Sequence, residues 1–237
     1  IGGVKVDMPK AETFARRDKE GRVTDVKSPD ARIAVTFDRS GKFGTQAADG
    51  MAQVGYDSIT MVIGGENTWD PATDIGVFKD THITFENMMS FRFDGSLGNL
   101  SKFMEGFITA SASEDPNAML AVLSETLNIR SFGFEIADAS LFDRLLGLYA
   151  TSEGMTLEEA RGQALAVMTL AAPEAGNMGI DKAIVTDLIT ATTSFVQKPG
   201  ILTIRFEPAD PITMETFADP ATITKESLGF SATYKEN

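Results

Sequence analysis

Apolar and polar residues alternate along much of the first 97 positions. Ile33, Val35 and Phe37 form one such run, then Ile59, Met61 and Ile63, then Ile83 and Phe85, then Phe91 and Phe93. A period of two places each set on one face of a half-buried strand. Turn-forming residues fall between the runs, at Ser28-Pro29-Asp30, Ser40-Gly41, Asp49-Gly50, Gly64-Gly65 and Asp94-Gly95. No helix is expected between these strands, so the pattern predicts an antiparallel meander rather than βαβ units.

The period then changes. Leu100, Phe103, Met104, Phe107 and Ile108 make one stripe of a helix. Asp115-Pro116 opens a second short helix, because proline is tolerated in a first turn. Alternation returns at Ile129, Phe132, Phe134 and Ile136. From Ser140 the chain reads as helix again, with Leu141, Leu145, Leu148 and Tyr149 on one side. Thr156 and Glu159 make a capping box for a helix that Pro173 is expected to stop near Ala172. A longer helix follows from about Ile180 to Gln197, closed by Pro199-Gly200. Strands are expected at Ile201–Glu207, Ile212–Phe217 and Leu228–Tyr234.

One short pattern recurs five times: apolar, any residue, Phe, acid. The copies are Val35–Asp38, Ile83–Glu86, Phe91–Asp94, Phe132–Glu135 and Ile204–Glu207. Each reads as a strand with two inward side chains and a final acid turned to water. Repetition of one unit suggests similar strands lining a continuous apolar face.

Composition narrows the chemistry. The 237 residues contain no cysteine and one histidine. Disulfide scaffolds, cysteine-ligated metals and thiol catalysis are excluded. A hydrophobic content of 43% is enough for a packed core. The net charge of −13 argues against nucleic acid, which needs clustered bases. The charge is uneven. Residues 1–42 hold ten bases and seven acids, a net +3, against 11 bases and 27 acids in the rest, a net −16. The basic segment reads as a solvated loop around Arg16–Arg22, or as an edge that meets anionic head groups or an acidic partner. No apolar run approaches the roughly 18 residues of a membrane span. The first residue is Ile1, not Met, which reads as a segment removed upstream, so a missing leader does not argue for the cytosol. The lack of cysteine favours an oxidising compartment.

No catalytic motif is present: no G-x-S-x-G, S-x-x-K, H-E-x-x-H, Walker loop or G-x-G-x-x-G. Alternation places His82 opposite Ile83 and Phe85, facing solvent. Glu66, Asn67, Asp70 and Asp74 surround Trp69, but their spacing does not match an EF-hand, and an acidic turn around an anchoring tryptophan is the simpler reading. Methionines are frequent, among them Met88, Met89, Met104, Met119, Met155, Met168, Met178 and Met214. They suit a core, or a surface that accepts varied apolar ligands.

The stretches Thr81–Gly95 (THITFENMMSFRFDG) and Ile129–Asp138 (IRSFGFEIAD) resemble the repetitive strands of AsmA-like and related Gram-negative envelope proteins. The segment Ala139 to Phe217 is similar to uncharacterised proteobacterial envelope proteins, through Leu141–Leu146, Thr156–Ala160 and Phe195–Ile204. The resemblance implies a periplasmic, sheet-rich, non-catalytic protein, some of whose relatives handle lipid in an apolar groove. It assigns no site residue.

The expected fold is therefore α+β, a single domain over 1–237. A long, twisted, mainly antiparallel sheet carries helices packed on one face. Residues 1–97 are β-rich, 98–126 and 139–197 are helical insertions, and 127–138 and 200–236 return to the sheet. The expected function is a non-enzymatic cell-envelope protein that binds or shields lipid or another apolar ligand. Phe91, Phe93, Phe132, Phe134 and Phe206 would line the face, with Met88 and Met104 beside them. No cofactor or metal is expected. An envelope protein partner is the second expectation for binding, and contact with a membrane is peripheral or through an upstream anchor. The alternatives are a scaffold subunit with a filled core, and a hydrolase built on paired carboxylates.

Overall fold

A computed structural model describes residues 4–9, 12–113, 115, 117–126, 128–177, 179–213, 216 and 223–237. Pro116, Met178, Met214 and Phe217, which carried expectations above, lie outside the described residues.

Among the described residues the alternating runs form one open sheet of ten strands. In chain order they are β1 (Val4–Asp7), β2 (Phe14–Arg17), β3 (Val23–Phe37), β4 (Ser58–Asp70), β5 (Ile75–Phe85), β6 (Met89–Gly98), β7 (Asn128–Asp138), β8 (Ile201–Phe206), β9 (Ile212–Thr213) and β10 (Phe230–Lys235). The order across the sheet is β1-β3-β4-β5-β6-β7-β8-β10, with β2 also on β3 and β9 also on β7. Every pairing is antiparallel. Among the described residues seven helices occupy the connections: α1 (Gly41–Gln53), α2 (Leu100–Ser111), α3 (Ala118–Thr126), α4 (Leu141–Ser152), α5 (Leu157–Asn177), α6 (Lys182–Gln197) and α7 (Lys225–Leu228). This is the expected α+β meander. None of the described helices is long and apolar enough to cross a membrane.

Residues directly opposed in neighbouring strands share a face. Ala31, Ile63, Ile83, Phe91, Ile136, Leu202 and Tyr234 form one such row across seven strands. Phe93, Phe134, Ile204 and Ala232 form the next, and Phe78, Gly95, Phe132, Phe206 and Phe230 the one beyond. The helices cover parts of this face only. Met51, Val54 and Tyr56, in and after α1, pack with Met88, Ile59, Phe85 and Leu141. Ile184 and Leu188 of α6 cover Ile204, Phe206 and Phe230, while Ala191 and Phe195 cover Leu202 and Ile136. Helix α5 packs on α4 and α6 as an outer layer. Among the described residues no large side chain is wholly buried, as a single sheet with partial cover requires.

The other face is polar, and four of the five repeat acids, Glu86, Asp94, Glu135 and Glu207, lie with its arginines. Glu86 pairs with Arg32 at 2.7 Å, Asp94 with Arg205 at 3.2 Å, and Glu207 with the same arginine at 3.6 Å. Asp38 instead accepts from the Ser40 amide at 2.8 Å. His82 is on this face as expected, but it is covered. Its side chain is 15% exposed, with Nε2 3.3 Å from Asp30.

Four expectations are corrected. Ser28-Pro29-Asp30 and Gly64-Gly65 are not turns between strands but irregularities inside the 15-residue β3 and the 13-residue β4. A third shift lies between Phe78 and Thr81 of the neighbouring β5. Proline and glycine are tolerated where a ladder is broken by a bulge, and such bulges bend the sheet. Gly65 has φ +154°, and a Cβ there would stand 2.8 Å from the Thr81 backbone. Asp94-Gly95 also lies within a strand, β6. Ser40-Gly41 and Asp49-Gly50 belong not to turns but to the start and interior of α1, a helix the glycines concealed. Finally, α5 runs through Pro173 to Asn177. There the proline removes one bond from the ladder without ending it.

Candidate functional site

The long strands β3 and β4 extend past their bulges, and the first turns of α2 stand over that end of the apolar face. Between them lies a cleft of about 370 Å³. Val23, Thr24 and Val26 line it from β3, Asn67, Thr68 and Trp69 from β4, and Leu100, Ser101 and Met104 from α2. Its size falls within the roughly 300–1,000 Å³ typical of small-molecule sites. A smaller hollow of about 110 Å³ adjoins it, sharing Asn67, Thr68 and Leu100 and adding Gly76, Val77, Phe78 and Leu97.

Asp74 holds the two walls in register. It sits at φ +54° in the β4–β5 turn. The Trp69 indole donates to its Oδ1 at 3.0 Å, as does the Ser101 amide at 3.0 Å, and the Ser101 hydroxyl donates to Oδ2 at 2.7 Å. The Leu100 amide donates to the Asp74 carbonyl at 3.2 Å. Burial alone would raise this carboxyl. The Ser101 hydroxyl and amide and the Trp69 N–H outweigh it and hold Asp74 below the usual carboxylate range. The acidic turn is thus an anchor for Trp69, and Arg22 lies over the same ring at 5.7 Å.

Two glycines let large side chains lie flat on the sheet. A Cβ on Gly76 would come within 2.4 Å of Leu100, and one on Gly95 within 2.7 Å of Phe78. Phe78 therefore crosses the bare backbone of β6 and reaches Phe132, with ring centroids 6.5 Å apart. The row continues to Phe206 at 6.4 Å and Phe230 at 5.3 Å. A second cluster lies beside it: Phe134 is 5.1 Å from Phe93 and 6.2 Å from Phe91, and Phe85 is 6.5 Å from Phe91.

The expected lining residues separate. Phe91, Phe93 and Phe134 come together, half-buried, on the apolar face. Phe132 links to the cleft through Phe78, while Phe206 passes under α6. Met104 lines the cleft and is 47% exposed. Met88 does not belong with them. It is a core residue, 4% exposed among Val54 and Tyr56, and its carbonyl accepts from the Ala139 and Ser140 amides ahead of α4. The sequence reading missed Val23, Val26, Trp69, Phe78 and Leu100. Leu100 was legible as a helix stripe, but nothing local marks which strand end it faces.

The basic segment lies beside the cleft. Phe14, Arg16, Lys27 and Glu66 line a polar hollow of about 470 Å³, where Lys27 pairs with Glu66. For carboxylate chemistry, Asp138 is the buried acid among the described residues. Its carboxylate accepts from the Phe142 amide at 2.9 Å. No group of three or more histidine or acidic side chains among the described residues is arranged to hold a metal.

Residues 82–235 match the model of a family described as "Uncharacterized protein", and the chain belongs to that family. The match begins inside β5 and so contains the α2 wall and the phenylalanines from Phe85 onward, but not Phe78 or the β3 and β4 wall. No curated protein matches the chain.

Proposed function

We propose that this family member is a non-enzymatic binder of lipid acyl chains. The chain of the ligand would enter the cleft between Trp69 and Met104 and lie along Phe78 toward Phe132. The observation that carries this reading is the continuity of the cleft with the aromatic row on a sheet face that helices cover only in part. Burial of acyl carbons there contributes about 0.8 kcal/mol per methylene removed from water. With walls of valine, leucine, methionine and aromatic rings, selectivity among chain lengths would be loose. An envelope location fits a chain without cysteine, and agrees with the resemblance to AsmA-like proteins.

The test uses the single tryptophan. Trp69 lies in the cleft wall, so a conjugated-polyene fatty acid bound there accepts its emission. Saturable energy transfer, with lipid retained in native mass spectra of the purified protein, is the expected result. No transfer and no retained lipid would sink the proposal.

A second reading, an interaction subunit, rests on a different surface. Leu145, Leu148 and Tyr149 of α4 are 37–49% exposed, and Val167 and Leu170 of α5 are 67% and 74% exposed. A contiguous exposed apolar patch marks a protein contact, and these helices carry the large exposed side chains such a patch needs. Replacing Val167 and Leu170 by serine would abolish capture of such a partner and leave acyl binding intact.

A further inference from the structure

We propose that His82 is a proton-operated latch near the outer edge of the sheet: its charged form ties Asp30 of β3 to the bulge of β5, and its neutral form lets the middle of β3 loosen. The ladder breaks at one level in three neighbouring strands, between Ser28 and Ala31 in β3, Gly64 and Glu66 in β4, and Phe78 and Thr81 in β5. Strand β3 is weakly held there. Its outer neighbours β1 and β2 pair with 34–37 and with 23–27, so among the described residues 28–33 have no strand partner on that side. The β5 bulge is not fully satisfied either, because the buried Thr81 hydroxyl has no hydrogen-bond partner among the described residues.

His82 lies across this line. It opposes Gly64 of β4, where a Cβ would stand 2.9 Å from the imidazole and 2.5 Å from the Asp30 carboxylate. The bare backbone of Gly64 thus lets the two side chains meet. On one side Nδ1 is 2.8 Å from the Asp80 carbonyl. A carbonyl oxygen only accepts, so Nδ1 carries a proton. On the other side Nε2 faces Asp30 Oδ1 at 3.3 Å. In the neutral ring Nε2 is then a lone pair set against a carboxylate. Protonation turns it into a donor, and the contact becomes a charge-assisted hydrogen bond.

The charges around the ring favour that step. Asp30 comes from β3, and the Asp80 carboxylate of β5 is 4.0 Å from Nδ1. Arg92 comes from β6 and opposes the added charge, but its Nε is held by Asp80 at 3.2 Å, and Glu135 of β7 lies opposite it. Strand β4 presents Gly64 and, past the bulge, Glu66 between Lys27 and Lys79. Histidine is the side chain that changes charge between about pH 5 and 8. The latch therefore closes as pH falls through that window and opens as pH rises through it.

A single histidine makes the test direct. The full chain is followed from about pH 8 to about pH 5 by the His82 ring C–H resonances and by amide exchange over 23–37, corrected for intrinsic rates. Protection of that segment should rise about two- to fivefold toward acid, the size of an exposed ion pair, with the midpoint of the His82 resonances. Exchange over 182–197 in α6 should stay level. His82→Gln should abolish the dependence. Asp30→Asn should abolish it as well, because an amide donates to the neutral ring and accepts from the charged one. Asp30 is 68% exposed, so this variant keeps its fold and decides the matter even where His82→Gln does not fold; circular dichroism verifies both. Protection over 23–37 that does not change with pH in the wild type, or that changes equally in Asp30→Asn, overturns the latch.

Discussion

Asp138 ends β7 at 3% exposure. Burial pushes its carboxyl above the usual carboxylate range, and the charge of Asp143 adds to this, against the pull of the Phe142 and Leu141 amides. The folded protein thus holds this proton more tightly than the unfolded chain. Stability from this group is full in acid and falls as pH rises from the ordinary aspartate value of about 3.9 to the raised folded value. Asp138→Asn keeps the acceptor for the Phe142 amide and removes the titration. Urea midpoints should therefore show the variant gaining on the wild type as pH rises from 3 to 7, and a pH-independent difference would refute the assignment. Arg161 makes the opposite kind of contact. It bonds the Gln197 carbonyl at 3.1 Å, the Val196 carbonyl, and Asp143 at 2.7 Å, so one half-buried guanidinium joins α4, α5 and the C-terminus of α6. Arg161→Ala should lower stability by about 1.5–3 kcal/mol, as lost charge-assisted bonds do, read as a shift in urea midpoint at unchanged slope.

Helix α6 depends on its first residue outside the helix. The Ala183 amide donates to Asp181 at 2.8 Å and the Lys225 amide, opening α7, donates to it at 2.7 Å. Those two amides, Lys225 first, hold the Asp181 carboxyl below its usual range. Its contribution is present above the ordinary aspartate value and is lost as pH falls through the lowered one. Asp181→Ala should lower the urea midpoint at neutral pH, and this loss should shrink as pH falls through the lowered value. Among the strands, Gly95 is the sensitive position. Gly95→Val drives a branched side chain into the Ser131 carbonyl and Phe78, so a loss of about 1–3 kcal/mol from overpacking is expected, with a changed near-ultraviolet spectrum as the row to Phe132 is broken. Helix α1 shows what local propensity hides. Three glycines in 13 residues disfavour it by about 1 kcal/mol each. It forms because Met51 and the following Val54 and Tyr56 pack beneath α4, and because Arg144 bonds the carbonyls of Val54 and Gly55 while stacking on Tyr56 at 4.3 Å.

Across the whole molecule, the sheet is wider than its helical cover. One end of the apolar face is closed by α1 with α4 and the β8–β10 side by α6, while Phe91, Phe93 and Phe134 stay only half-buried and the cleft opens at the other end. Ile63, opposite Ile83, is 36% exposed. An acyl ligand that spans this region should raise the unfolding temperature in proportion to ln[ligand], since it binds only the folded state. A melting series with oleate at constant protein concentration measures this, and an unchanged midpoint would count against the site. Much of this architecture was legible. Period-two alternation assigned Ile83, Phe85, Phe91 and Phe93 to one face, and the Thr156–Glu159 box opened α5 as expected, with the Thr156 amide donating to Glu159 at 2.7 Å. The candidate site was legible only in part, because Met88 and Met104 look alike in sequence and end in a core and on a cleft wall.

By itself the sequence determined the class of the protein: strands and their apolar face from the alternation, helices from their stripes, and the excluded chemistries from the absence of cysteine and the scarcity of histidine. These follow from residues near one another, whose side-chain direction the backbone period dictates. The tertiary structure alone decided where proline and glycine break a strand without ending it, that a glycine-rich segment is a helix, and which apolar residues remain uncovered. Each of those depends on partners distant in the chain. Trp69 and Met104 become two sides of one cleft only after Asp74 has tied a strand turn to the first turn of α2.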